Sequence, residues 1–207
     1  MPNQITHMVL TSKVFDRFFS RFDKREFFLG TVFPDIRKFG LVEREATHFL
    51  GATINQVLEA KTSFAAGVIF HNLVDELFYD NLILIPGMKG DGNKIGVVKL
   101  LADELLYKKV ENWREIANYF QDTITEELNF NMEQVTILKW HKILAQLFIE
   151  HPNNKNHLEF MMSINFILEK AKARIIFLDQ IRESGEFGKF ILDFYDNFEN
   201  KLKLCSI

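Results

Sequence analysis

The sequence predicts an all-α fold, a multi-helix bundle of eight or nine helices. Apolar residues recur at intervals of three and four along most of the chain, which is the period of a helix with one buried face. Turn-forming residues separate these stretches, and no segment shows the alternation of a strand. The 207 residues are enough to bury a continuous core, so we expect a single domain over 1–207.

Each predicted helix has an apolar stripe and an identifiable start or end. In chain order the helices are expected at 5–22, 24–33, 47–58, 61–84, 96–110, 113–128, 132–149, 157–181 and 187–202. Pro34 should end the second helix because proline disfavours helical geometry in the residue before it. Thr47 is the expected N-cap of the third, which would place His48 in its first turn. Residues 37–46 indicate a surface connection, and the glycine-rich residues 86–96 a flexible one. The expected metal-site half is 1–85, and 96–207 is the helical half.

Composition limits the classes of function. The formal charge of −3 argues against an extended nucleic-acid footprint, which needs clustered Lys and Arg. No run approaches the ~18 apolar residues of a transmembrane helix, and the first residues lack the pattern of a signal peptide. The lone cysteine, Cys205, suits a reducing compartment, so we expect a cytoplasmic protein. The 22 phenylalanines indicate core volume, with a lipid-binding surface as the alternative.

The segment 64–79 carries the pattern around which the functional prediction is built. His71 and Asp75 are one helical turn apart, so their side chains leave the same face of the helix. The same face carries four apolar residues and is therefore predicted to be buried. They are Phe64, Val68, Phe78 and Leu82. An unpaired buried carboxylate costs several kcal/mol, so Asp75 requires a metal cation, an arginine or a proton as its partner.

Three further residues of the N-terminal third could complete a metal site. His7 lies on the inner face near the start of the first helix, Asp35 follows Pro34, and His48 precedes the third helix. Imidazole and carboxylate are the ligands that zinc and other first-row divalent ions accept from a protein without cysteine. Each residue alone has an ordinary explanation, as a core histidine, a turn residue or an exposed side chain. Together they favour a metal site.

The same residues lie in motifs that resemble a known family. The stretches are ITHMVL at 5–10, FFLGTVFPDIR at 27–37, EATHF at 45–49 and AAGVIFHNLVDELF at 65–78. This ordered set looks like the zinc-dependent phospholipase C family, which shares its fold with single-strand-specific nucleases. The likeness covers roughly residues 1–85.

The resemblance implies a ligand set and a chemistry. Asp35, His48, His71 and Asp75 would hold one zinc ion, and Asp75 would bridge to a second ion that His7 also binds. Manganese or iron are alternatives to zinc. Asp35 and Asp75 would be the catalytic residues, because the ions they hold activate water and clamp a phosphodiester or phosphomonoester. No His-x-x-x-Glu motif follows Asp75, so the sequence predicts one or two ions, not three.

The expected function is therefore that of a metal-dependent phosphoric-ester hydrolase. Arg37 and Arg44 flank the ligand-bearing turns and could bind the phosphate through their planar guanidinium groups. The substrate would be a small phosphorylated molecule or a phospholipid head group. The main alternative is a non-enzymatic helical protein with a structural or vestigial metal site. A nucleotide phosphohydrolase of the HD type is a third hypothesis, although the adjacent His-Asp pair of that group does not occur in the sequence.

Overall fold

The computed structural model describes residues 3–39 and 42–205, and this part of the chain is all-α, with twelve α-helices and no strand. The helices are α1 Gln4–Val14, α2 Lys24–Val32, α3 Ile54–Glu59, α4 Ser63–Leu82, α5 Gly92–Leu106, α6 Trp113–Asn118, α7 Thr125–Leu128, α8 Gln134–Ile149, α9 Asn154–Ser163, α10 Leu168–Ser184, α11 Glu186–Asp196 and α12 Phe198–Leu204. A π-helical turn at Phe15–Phe19 extends α1, and 3-10 turns lie at Phe33–Phe39, Arg44–Ala46 and Tyr107–Lys109. The predicted fold class is confirmed.

The number of helices is higher than the predicted eight or nine because three predicted helices are broken. The segment 113–128 forms α6 and α7, 157–181 forms most of α9 and α10, and 187–202 forms α11 and α12. Asn165, between α9 and α10, adopts a left-handed conformation with φ of 61°, which interrupts a helix. Asn197 leaves helical geometry between α11 and α12. The apolar period continues on both sides of these breaks, so periodicity alone did not reveal them.

The predicted N-cap at Thr47 is wrong. Thr47 ends the 3-10 turn Arg44–Ala46, and the chain runs without helix to Thr53. Thr53 begins α3 with a capping box, in which its side chain accepts from the backbone N–H of Gln56 and the Gln56 side chain accepts in return. His48 consequently lies in a loop, not in the first turn of a helix.

The helices α2 and α4 cross at backbone contact. A Cβ atom on Gly30 would overlap the carbonyl oxygen of Phe64, and one on Gly67 would overlap that of Phe27. Glycine at both positions therefore lets the two helices approach more closely than side chains permit. This contact brings Thr31 of α2 against His71 of α4.

The buried apolar side chains form one continuous cluster that extends from Ile5 in α1 to Leu202 in α12. Most of the phenylalanines belong to it, as the composition predicted. Within the described ranges, every helix is too short or too polar to cross a bilayer.

Candidate metal centre

The structure brings together the five predicted ligands. Two overlapping groups have potential ligand atoms within 4.8 Å of one another, namely His7 with His71 and Asp75, and Asp35 with His48 and His71. The side chains come from α1, the 3-10 turn Phe33–Phe39, the loop after Thr47, and α4. All five residues are buried, with His48 at 7% and Asp75 at 6% relative exposure the only two that reach solvent appreciably.

The centre of the site is a triangle of ligand atoms. His71 Nε2 lies 3.3 Å from His48 Nε2 and 3.3 Å from Asp75 Oδ2, and His48 Nε2 lies 3.9 Å from Asp75 Oδ2. A tetrahedral ion with bonds near 2.0–2.1 Å separates its ligand atoms by about 3.3 Å. The spacing of these three atoms fits a divalent ion with small adjustments. Asp35, the predicted fourth ligand, has a ligand atom within 4.8 Å of His48 and His71, and it forms no such group with Asp75 among the described residues.

Hydrogen bonds fix two of the imidazoles so that their Nε2 atoms face inward. His71 Nδ1 donates to the carbonyl oxygen of Thr31 at 2.8 Å, and His48 Nδ1 lies 2.9 Å from Thr47 Oγ1. Partners of this kind set the tautomer and the ring orientation of metal-ligating histidines. The Thr31 contact exists because α2 and α4 cross so closely.

Asn72 holds the loop that carries His48. Its side-chain amide donates to the carbonyl oxygen of Thr47 at 3.0 Å, and its oxygen accepts from the backbone N–H of Phe49 at 3.0 Å. The backbone is thus bound on both sides of His48 to the helix that carries His71 and Asp75. A single asparagine beside a histidine is not distinctive in a sequence, so the role of Asn72 was not predicted.

Asp35 is held by two neighbours on one of its oxygens. Gln4 Nε2 donates to Asp35 Oδ2, and Lys38 Nζ lies 2.9 Å from the same atom. The other oxygen, Oδ1, is buried without a hydrogen-bond partner in the described structure. Asp35 therefore offers one free ligand atom.

Several other polar atoms of the site are buried and form no hydrogen bond with any residue in the described ranges. They are Asp75 Oδ1, Asp75 Oδ2 and both ring nitrogens of His7, although His7 Nε2 lies only 3.2 Å from Asp75 Oδ1. A buried polar atom that loses its partner costs about 1–3 kcal/mol, and more if it is charged. A divalent cation would be a partner for the Asp75 oxygens and for the one ring nitrogen of neutral His7 that carries a lone pair, so the donor set fits a metal ion.

The protonation states also favour a cation. Burial and the charge of His71 lower the pKa of both His7 and His48 to about 4, so both rings are neutral at pH 7. Burial opposes charge on His71 too, but the Asp75 carboxylate outweighs it and raises the pKa of His71. Despite burial, cationic neighbours hold the pKa of Asp35 and of Asp75 below the usual value, Lys38 for the former and His71 for the latter. Without a metal ion, the site contains two carboxylates beside one imidazole, His71, whose raised pKa favours its protonated form.

His7 is the least organised of the five ligands. Its ring stacks on His71 with centroids 4.2 Å apart, but no hydrogen bond fixes its tautomer. His71 has only one free lone pair, on Nε2, because Nδ1 donates to Thr31. The two overlapping groups therefore compete for His71, which leaves His7 and Asp75 as the ligands of any second ion.

The two predicted phosphate-binding arginines are placed differently. Arg37 lines a cleft of about 330 Å³ beside Lys38, together with Lys99 of α5 and Arg174 of α10. Arg44 is exposed on its 3-10 turn and is not part of the lining. Lys99 and Arg174 were not predicted from the sequence, because nothing in the local pattern links them to residues 60 or more positions earlier.

The later histidines have structural partners instead. His141 Nε2 lies 2.7 Å from Glu127 Oε1, and His157 Nε2 lies 3.0 Å from Glu104 Oε1. Both rings are buried, and each joins two segments of the helical half. In the described ranges, the groups with metal-ligand spacing are those of the N-terminal third.

Comparison with protein-family models, with curated proteins and with solved structures finds no match for this chain. The resemblance to the zinc-dependent phospholipase C family therefore stays a prediction that depends on the motifs themselves.

Proposed function

We propose that the protein is a metal-dependent phosphoric-ester hydrolase. The observation that carries the proposal is the buried set of Asp35, His48, His71 and Asp75. In this set Asp35 Oδ1 and both Asp75 oxygens have no hydrogen-bond partner among the described residues, and the Nε2 atoms of His48 and His71 face each other at 3.3 Å. A charged cleft that could receive an anionic substrate begins at Lys38, which contacts Asp35. Together these features match the requirements of phosphoryl chemistry, in which cations offset the charge of the reacting group.

A divalent ion bound by these residues would supply Lewis-acid chemistry, since it lowers the pKa of water and offsets charge on phosphoryl oxygens. The chain itself orients the ligands through Thr31, Thr47 and Asn72. Lys38 and Gln4 hold Asp35 on the side of the cleft. Zinc is the proposed ion, with manganese and iron as alternatives for the same ligands.

The proposed substrates are phosphomonoesters or phosphodiesters, either small phosphorylated molecules or phospholipid head groups. The cytoplasm is the proposed place of action. The unpaired thiol of Cys205 is compatible with that reducing compartment.

Hydrolysis of generic esters tests the proposal. Protein stripped with EDTA and reloaded with zinc, manganese or ferrous iron is assayed on p-nitrophenyl phosphate and on bis(p-nitrophenyl) phosphate. We expect metal-dependent turnover that falls by about 100-fold or more in Asp75→Asn, because one ligand and one charge are lost. The matched control Asp193→Asn, an exposed carboxylate of α11, should retain activity. Absence of turnover with every metal would overturn the proposal.

The burial of the site favours one alternative, a structural metal site. Four protein ligands would occupy all four coordination positions of a tetrahedral ion, which is typical of structural sites. Catalytic sites keep one coordination position open for water or substrate. Under this alternative, metal removal would lower the melting temperature while no ester is hydrolysed at any metal content.

A further inference from the structure

The cleft beside the metal centre concentrates positive charge. Arg37 and Lys38 line it from the 3-10 turn, Lys99 from α5 and Arg174 from α10. None of its described lining residues is acidic. The whole chain has a formal charge of −3, so this local excess of cations does not reflect the composition. Such a surface attracts anions.

Three of the four cations have no carboxylate partner. Lys38 pairs with Asp35, but among the described residues no carboxylate lies within 4.0 Å of the cationic nitrogens of Arg37, Lys99 or Arg174. Arg37 Nε is also buried and has no hydrogen-bond partner in the part of the chain that the structure describes. Crowded cations that lack partners repel one another, and a bound anion would remove that cost.

The guanidinium of Arg174 is held in place before any ligand binds. It lies over the ring of Phe166 at 4.5 Å from the centroid, and its Nε donates to Asn93 Oδ1 at 3.3 Å. The guanidinium also occupies the space beside Gly96 of α5, because a Cβ on Gly96 would lie only 2.8 Å from Arg174 Cζ. A positioned guanidinium is suited to two-point binding of a phosphate.

The cleft adjoins the metal centre. Lys38 Nζ lies 2.9 Å from Asp35 Oδ2, so the two sites share this contact. Burial lowers the pKa of Lys99 to about 8, and the nearby Asp75 carboxylate acts against that shift. A ligand in the cleft would therefore lie beside the predicted ion.

We propose that the cleft binds a second anionic group of the substrate, and that the substrate is a small soluble molecule with two phosphate groups. One phosphate would be hydrolysed at the metal centre, while Arg37, Lys99 and Arg174 bind the other. The proposal rests on the proposed function. Met161, Ile164 and Phe166 form an apolar wall of the cleft that would contact the carbon skeleton. A zwitterionic head group such as phosphorylcholine would be disfavoured, because its ammonium group meets the same cations.

Binding of inorganic pyrophosphate to metal-free protein tests the cleft without any catalysis. Isothermal titration calorimetry should show binding at least about tenfold tighter for pyrophosphate than for phosphorylcholine. Arg174→Gln and Lys99→Gln should each weaken pyrophosphate binding about tenfold, since a hydrogen bond to a charged group is lost. Lys172→Gln, an exposed residue of the same helix as Arg174, is the matched control and should change the affinity less than twofold.

Gly96→Ala is a second test that retains every charge. The added methyl group displaces the Arg174 guanidinium, so pyrophosphate binding should weaken while the melting temperature does not fall. Equal affinities in wild type, Arg174→Gln and Gly96→Ala would overturn the proposal, as would an equal loss in Lys172→Gln. Retention on phosphatidic-acid vesicles that is lost in Arg174→Gln would overturn the assignment to a soluble substrate.

The two proposals fail separately. Pyrophosphate binding without any metal-dependent turnover would leave the cleft assigned and remove the hydrolase. Metal-dependent turnover of generic esters without pyrophosphate binding would support the hydrolase and rule out the proposed role of the cleft.

Discussion

At the scale of single residues, Asp75 connects the whole site. Its Oδ1 faces His7 at 3.2 Å, and its Oδ2 faces His71 at 3.3 Å and His48 at 3.9 Å. A buried carboxylate with so few hydrogen bonds is stable only beside positive charge. The Asp75 carboxylate raises the pKa of His71 and so favours its positively charged form, and a divalent ion in its place would contact more of the carboxylate oxygens.

The unequal support of His48 and His7 predicts unequal effects of their substitution. His48→Gln removes a ligand whose ring is oriented by Thr47, so zinc affinity should fall by about 100-fold or more. His7→Gln should leave one tightly bound ion, because His71 and the remaining ligands are unaffected. Competition with a chromogenic chelator measures both affinities. Equal losses in the two variants would contradict the assignment of His7 to a second, weaker ion.

Acid should destabilise the metal-free protein between pH 6 and 5. His7 and His48 have a folded pKa of about 4 against 6.5 in the unfolded chain, so unfolding takes up two protons in this range. Burial raises the pKa of Asp103 from 3.8 to about 6. In this pH range the folded protein therefore binds a proton at Asp103 that the unfolded chain does not bind. His71, with its raised pKa, is protonated in both states here. The net uptake of one proton lowers the free energy of unfolding by about 1 kcal/mol per pH unit.

Urea denaturation in EDTA at pH 6.0, 5.5 and 5.0 measures this slope. A stability that is constant or rises on acidification would show that the two imidazoles are not held neutral by burial.

At the scale of helices, the site depends on how α2 and α4 cross. Thr31 can accept from His71 only because Gly30 and Gly67 leave no side chain between the two backbones. The second half of the chain contributes as well. Asp103 of α5 accepts from the backbone N–H and the hydroxyl of Thr6 at 2.9 and 2.7 Å, which holds the start of α1 next to His7.

Gly67→Ala should therefore damage both stability and metal binding. The added Cβ would overlap the carbonyl oxygen of Phe27, and backbone cannot give way as a flexible side chain can. We expect a loss of about 3 kcal/mol in the free energy of unfolding and a weaker affinity for zinc. Gly188→Ala, whose Cβ would make an ordinary 3.7 Å contact, is the control and should be neutral or stabilising. Equal effects of the two substitutions would contradict the role of the crossing.

The sequence predicted those parts of the site that local patterns encode. The helical period placed His71 and Asp75 on one buried face, and both lie there in α4. His48 meets them although its predicted helix was wrong, because the fold of the loop depends on Asn72 and on Gly51, whose φ is 74°. The roles of Lys99 and Arg174 could not be predicted from the sequence, because these residues line the cleft only through the packing of helices that are far apart in the chain.

At the scale of the whole molecule, the candidate metal centre connects parts of the chain that share one core. Its predicted ligands come from α1, the 3-10 turn Phe33–Phe39, the loop after Thr47 and α4, while α5 and α10 contribute Lys99 and Arg174 to the lining of the adjoining cleft. An ion that binds only the folded arrangement adds its binding energy to the stability of the entire fold.

Metal removal should consequently lower the melting temperature. At a free zinc concentration 100 times the dissociation constant, binding stabilises a folded protein by about 2.7 kcal/mol. For a chain of 207 residues this corresponds to a shift of roughly 5–10 °C. Differential scanning calorimetry with zinc and with EDTA measures the shift, which should vanish in His48→Gln. A shift of the same size in that variant would place the stabilising ion elsewhere.

We infer that His48, His71, Asp35 and Asp75 bind a divalent metal ion, and elemental analysis of the purified protein tests this inference. The wild type, after exposure to zinc, manganese or ferrous iron and removal of free metal, should retain at least one equivalent per chain. His71→Ala should retain less than about a tenth of that amount, while His151→Ala, which changes an exposed histidine outside the centre, should match the wild type. Wild-type protein that retains no metal, or a His71→Ala variant that retains as much as the wild type, would contradict the claim.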